Sequence, residues 1–157
     1  MKKALITGAN KSIGFETARQ LLQKGYYVYL GSRNLENGLE AVEKLKAEGL
    51  NEVEAIQIDV SNSESVKAAR AEIGKKTEVL DVLINNAGIN GGMPQTATGT
   101  DIAVFKQVYD TNVFGVVTRY PGFYGFVAKV ARTPHRECNF GSWLRYDAAQ
   151  RPYMEVL

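Results

Sequence analysis

Apolar positions along the first 118 residues alternate between two periods. Residues 3–7 (Lys-Ala-Leu-Ile-Thr) form a short apolar run closed by Gly8, the pattern of a parallel strand buried on both faces. Over 14–24, Phe15, Ala18, Leu21 and Leu22 recur at helical spacing, and Gly25 follows as a stop. Residues 26–31 are rich in β-formers and predict a second strand. Leu39, Val42 and Leu45 repeat among Glu and Lys over 35–48, an amphipathic surface helix. A third strand is expected over 53–60. A third helix follows over 61–73, capped by Ser61 or Ser63. A fourth strand over 79–84 runs into Asn85-Asn86-Ala87-Gly88. Glycines, Pro94 and polar residues make 89–100 a loop. A fourth helix starts near Thr100 or Asp101 and runs through Phe105, Val108 and Tyr109 towards Val117. This alternation predicts an α/β fold, a doubly wound parallel sheet with helices on both faces and no internal repeat.

After Arg119 the rhythm stops. Pro121, Gly122, Gly125, Pro134, Gly141 and Pro152 interrupt 120–157, and Tyr120, Phe123, Tyr124, Phe126, Phe140, Trp143, Tyr146 and Tyr153 follow no period. Cys138-Asn139-Phe140 does not look like the fifth strand that the βα rhythm requires, so the sheet is expected to end after its fourth strand and the following helix. The chain therefore divides into an ordered segment, 1–119, and an atypical tail, 120–157.

Composition narrows the class. A length of 157 residues, 45% hydrophobic and 23% charged, fits one soluble globular domain. The net charge of +2 is not concentrated in any run, which argues against nucleic acid or an anionic membrane as partner. A single cysteine, Cys138, excludes an internal disulfide and fits a reducing compartment. The N-terminal apolar run is too short for a signal segment, and no stretch has the length of a membrane span, so a cytoplasmic protein is expected. His135 and Cys138 would be two ligands where a structural zinc needs four, so no metal is expected.

The chemistry concentrates in Thr7-Gly8-Ala9-Asn10-Lys11-Ser12-Ile13-Gly14. A strand, a glycine turn and a helix together cradle a pyrophosphate. The free N–H groups of the first helical turn face the anion, and the helix dipole favours its charge. This turn resembles the Thr-Gly-x-x-x-Gly-x-Gly signature of the short-chain dehydrogenase/reductase (SDR) family. Asn85-Asn86-Ala87-Gly88 resembles that family's second signature. Asp59-Val60 resembles its adenine-contacting pair, and Asn112 falls where the family keeps an asparagine. The resemblance covers 1–118 and implies a doubly wound Rossmann sheet. It also implies a cofactor site built from Gly8, Asn10, Lys11, Ser12, Ile13, Gly14, Arg33, Asn34, Asp59, Val60, Asn86, Ala87 and Gly88. One departure is Ser12, which replaces the family's middle glycine and is expected to be tolerated.

Charge selects NADP over NAD. A dinucleotide site for NAD offers an acid to the ribose 2′-hydroxyl after the second strand. Here Gly31-Ser32-Arg33-Asn34 contains none, Arg33 matches a phosphate as a planar fork, and Lys11 adds a second cation.

The resemblance also implies a relay: a tyrosine, a lysine four residues on, and a serine on the fifth strand, acting on a small carbonyl or alcohol. No Tyr-x-x-x-Lys occurs after 119. Tyr124 and Lys129 are five apart, and Ser142 is the only serine there. Of the relay only Asn112 has a match. The chain is thus expected to be an SDR oxidoreductase by kinship that is inactive as written, or a non-catalytic NADP-binding fragment. An oligomer is compatible with either.

A reading-frame slip near Arg119 accounts for the change. Moving on by one nucleotide joins the last two bases of each codon to the first of the next. Residues 135–141 then permit Ile-Val-Asn-Val-Thr-Ser-Gly, similar to the family's fifth strand with its serine. Codons chosen upstream of these can spell Thr-Gln-Ala-Phe-Met-Ala-Leu-Leu-Leu-Lys-Ser-Pro, an amphipathic helix continuation. Each position offers several residues, so a genuine tail is still open as the alternative.

Overall fold

A central strand that is apolar on both sides organises the fold. β1 (Lys3–Ile6) carries Ala4, Leu5 and Ile6, all fully buried. Such a strand has no solvent face, so helices must cover both sides of its sheet. The computed structural model describes residues 1–92, 99, 101–117 and 123, and the backbone of 136–139.

The remaining elements build outward from β1. α1 (Ser12–Gln23) leads to β2 (Tyr27–Ser32), which pairs parallel with β1 from Lys3↔Tyr27 to Ile6↔Leu30. α2 (Leu35–Ala47) leads to β3 (Val53–Gln57), parallel to β2 on its outer side. α3 (Ser63–Lys76) crosses to β4 (Val82–Asn85), which pairs with the other side of β1 in the register Ile6↔Ile84. α4 (Ile102–Tyr109) continues into a π-helical turn at Asp110–Phe114, and β5 (Arg136–Asn139) completes the sheet order β3-β2-β1-β4-β5. The strand order reverses between β1 and β4, the point where such sheets bind their ligands.

Period-two alternation splits the core in two. Ile6, Val28 and Leu30 pack with Ala18 and Leu22 of α1 and with Ala41, Val42 and Leu45 of α2. Leu5, Tyr29 and Ile56 face the other way, against Val66, Ala69 and Ile73 of α3 and against Phe123. Each fully buried Leu, Ile or Phe contributes about 1.5–3 kcal/mol to folding.

Element boundaries differ from the expected ones for local reasons. Asn62, not Ser61 or Ser63, caps α3, its side chain accepting from the backbone N–H of Glu64 and Ser65. The fourth strand starts at Val82 and not at 79, because the Thr77 hydroxyl donates to the Val79 carbonyl and accepts from the Val79 N–H, closing a turn there.

The larger correction concerns the sheet edge. The side-chain pattern predicts no strand at 138–140, yet Arg136–Asn139 runs parallel to β4, from Val82↔Arg136 to Asn85↔Asn139. The outer edge of β4 presents a row of N–H and C=O groups, and any extended segment can pair with them whatever its side-chain pattern. Among the described residues no helix is long and apolar enough to cross a membrane.

Tyr29 gives the fold a pH dependence. It is 1% exposed and meets Tyr27 edge-on, with ring centroids 5.2 Å apart. Burial first, and then the charge of Glu54, pushes its phenol from 10.0 up to about 12. The fold therefore favours the neutral phenol. That stabilisation is complete below the unfolded value and is lost as pH rises through the folded one. Circular dichroism from pH 9 to 12 is expected to show alkaline loss of structure (the window set by about 10 unfolded and about 12 folded). Tyr29→Phe, which cannot ionise, should give a shallower loss.

Candidate functional site

The turn after β1 is held by side chains from the end of β4. Thr7 is fully buried, and its hydroxyl oxygen accepts from the N–H of Asn86 at 3.1 Å and of Ala87 at 3.0 Å. In return the Asn86 amide donates to the carbonyls of Thr7 and Gly8, both at 3.0 Å. The glycines make room for this arrangement. Gly8 has φ +63, and a Cβ there would lie 2.8 Å from Ala87 Cα. A Cβ on Gly14 would lie 2.4 Å from the Asn86 amide nitrogen. Ala9 N–H donates to Gly31 O at 2.8 Å, tying the turn to the end of β2.

The mouth of α1 is exposed at Lys11, Ser12 and Ile13. Asn34, Asn62 and Asp101 cap α2, α3 and α4 with their side chains. Lys11 at the start of α1 makes no such bond, and the first turn holds no acid. Uncapped N–H groups at the positive end of a helix dipole suit an anion. Ser12 has φ +52, so a serine occupies the left-handed conformation that glycine adopts without strain.

A second wall forms beyond β2. Arg33 lines a cavity of about 260 Å³ with Ser61, Gln107, Asp110, Thr111, Phe114 and Gly115. A Cβ on Gly115 would lie 2.9 Å from Val60 O, so this glycine lets the helix backbone lie against the strand-end loop. Asn34 accepts from Asn37 N–H at 3.1 Å, so its side chain serves α2. Asp59 Oδ1 accepts from Ser61 N–H at 2.9 Å and from the Ser61 hydroxyl at 2.6 Å. Among the described residues neither Arg33 nor Lys11 makes an ion pair.

Asn112 lies in the π-helical turn, next to Gly88. Its amide accepts from Ile89 N–H at 2.9 Å and donates to Ile89 O at 2.8 Å, binding the segment after Gly88 to the helix. Ser142, Tyr124, Lys129 and His135 lie outside the described residues, as does the side chain of Cys138. Among the described residues no group of three His, Cys, Asp or Glu side chains gathers for a metal.

The structure thus gathers Gly8, Gly14, Asn86 and Ala87 in one contact set and brings Arg33 to a cavity beside Ser61. Sequence reasoning did not single out Thr7 as the latch, nor Ser61, Gln107, Asp110, Thr111, Phe114 and Gly115 as cavity wall. Thr7 stood inside the quoted signature, and Ser61 directly follows Asp59-Val60. Nothing in the sequence marked the helical residues.

A family model described as short chain dehydrogenase matches residues 2–124. The chain therefore belongs to the short-chain dehydrogenase family. It is 43% identical over 112 residues to (-)-isopiperitenone reductase of Mentha piperita, a match covering 69% of this chain and 34% of that protein. It is 48% identical over 87 residues to carbonyl reductase [NADPH] 1 of Mus musculus, covering 55% of this chain and 31% of the relative. The chain spans about a third of the length of these relatives. The solved structure of Pseudomonas aeruginosa RhlG with NADP superposes with a TM-score of 0.81 at 26% identity, over 90% of this chain and 54% of that one. The fold is the Rossmann type.

The latch predicts a large effect from a small change. Thr7→Val removes the acceptor of two N–H groups and is expected to cost on the order of 2–4 kcal/mol in urea unfolding. Thr7→Ser, which keeps the hydroxyl, should lose far less.

Proposed function

We propose that residues 1–119 are the NADP-binding half of an oxidoreductase that moves hydride between the cofactor and a small carbonyl or alcohol, in a reducing, cytoplasmic setting. The observation that carries this reading is Arg33. It follows β2 where an NAD site would hold an acid, and it lines a cavity with Ser61, Gln107 and Thr111, with no ion pair among the described residues. The uncapped start of α1 fits the pyrophosphate. Arg33 and Lys11 would take the 2′-phosphate, and Asp59 and Val60 the adenine. Bound, the nicotinamide supplies the hydride; the residues of this segment bind and orient it. The similar RhlG structure is a complex with NADP, which supports the same choice.

We infer further that 120–157 are translated out of frame, leaving a chain that binds without turning over. Phe123 is compatible with this reading. It is fully buried in one cluster with Tyr29 and Leu83, and the shifted codon at that position permits phenylalanine or serine. The backbone segment paired with β4, Arg136–Asn139, spans the four codons that permit Val-Asn-Val-Thr one base on.

NADPH fluorescence enhancement should report binding. Arg33→Ala should weaken NADPH by about 10–100-fold, the scale of a charged hydrogen-bonded contact, and leave NADH almost unchanged. Equal weakening of both would count against the 2′-phosphate role. Carbonyl-dependent loss of NADPH absorbance should stay at the level of a buffer blank. The encoding DNA, read one base on from Arg119, should continue to a strand with serine and then a Tyr-x-x-x-Lys pair. Its absence would remove the frame reading and leave the tail genuine.

A further inference from the structure

We propose that Ser61 is the positioning residue that lets this chain read the adenine base; the proposal rests on the NADP reading above. Asp59 is fixed on two sides. Its backbone N–H donates to the Ser65 hydroxyl at 2.9 Å, and its Oδ1 accepts twice from Ser61, from the N–H at 2.9 Å and the hydroxyl at 2.6 Å. Both bonds fall on the same oxygen. Oδ2 carries none among the described residues and is left as an acceptor on a fixed carboxylate. Ser61 itself lines the cavity with Arg33, so the residue that fixes the carboxylate twice also forms part of that wall.

The chemistry follows from donor and acceptor types. A carboxylate oxygen accepts only, so it pairs with the 6-amino group of adenine and repels the 6-oxo group of hypoxanthine. Selectivity of this kind depends on the carboxylate being held still, because a free side chain turns away from the wrong partner at little cost. The Ser61 hydroxyl supplies that restraint in addition to its own N–H. It touches no substrate group; it acts through Asp59.

The test uses the whole chain and two fluorescent probes, NADPH and its reduced hypoxanthine counterpart. The wild-type chain should prefer NADPH. Ser61→Ala should shrink that preference about fivefold, the scale of one hydrogen bond, chiefly by weakening NADPH. Ser61→Thr, which keeps the hydroxyl, should restore it. In an Asp59→Ala background the Ser61→Ala change should no longer alter the preference. Equal weakening of both probes by Ser61→Ala would reduce Ser61 to a structural role and overturn the proposal. So would an unchanged preference. A wild-type chain that binds neither probe would overturn the cofactor reading together with it, and is thereby distinguished from failure at Ser61 alone.

Discussion

Across the point where the strand order reverses, the Thr7 hydroxyl accepts from the backbone N–H groups of Asn86 and Ala87 while the Asn86 side-chain amide donates to the carbonyls of Thr7 and Gly8, and the rest of the site depends on that exchange. β1 and β4 are neighbours in the sheet, tied at their ends by the Thr7 N–H donating to the Ile84 carbonyl at 3.0 Å, and the exchange carries that tie beyond the strands. The four bonds close the end of the sheet and set the path of the turn. Gly8 and Gly14 then become necessary for two reasons at once. They admit Asn86 and Ala87 from one side, and from the other they keep the backbone open to an approaching phosphate. Two stretches of chain nearly eighty residues apart are therefore one structural unit.

Much of the fold was legible in the sequence because it rests on short-range rules. Buried runs such as Ala4-Leu5-Ile6 and the Phe15/Ala18/Leu22 spacing each carry their own period, so element type and order followed directly. Ends were less legible, because caps compete. Asn62, Ser61 and Ser63 all have the chemistry to cap α3, and only the backbone geometry selects Asn62. The site was legible in part. Glycines and Arg33 announce themselves by type, whereas Gln107 and Thr111 reach the cavity only because a helix from much later in the chain passes there. Asn34 shows the converse. It stood at a cofactor position in the sequence, and its side chain caps the helix that begins beside it.

β5 illustrates the limit of pattern reading from the other direction. Strand prediction weighs side chains, while strand pairing at an edge is a matter of backbone groups. A segment whose residues do not alternate can still occupy the edge of β4, and Arg136–Asn139 does. Completion of a sheet is therefore weak testimony that the completing residues were selected for that place.

The π-helical turn at Asp110–Phe114 carries a last consequence. A wide turn holds one residue more than an α-helical path of the same rise, which rotates everything after it by about 100°. Asn112 bonds Ile89 from within this turn, while Asp110 and Thr111 at its start and Phe114 and Gly115 at its end line the cavity. The two contacts are thus phased by residue count and not by residue type. A single deletion inside 110–114 would leave a sound helix and a plausible sequence, yet it would turn one of these faces away from its partner. Insertions and deletions here are under a stricter rule than substitutions.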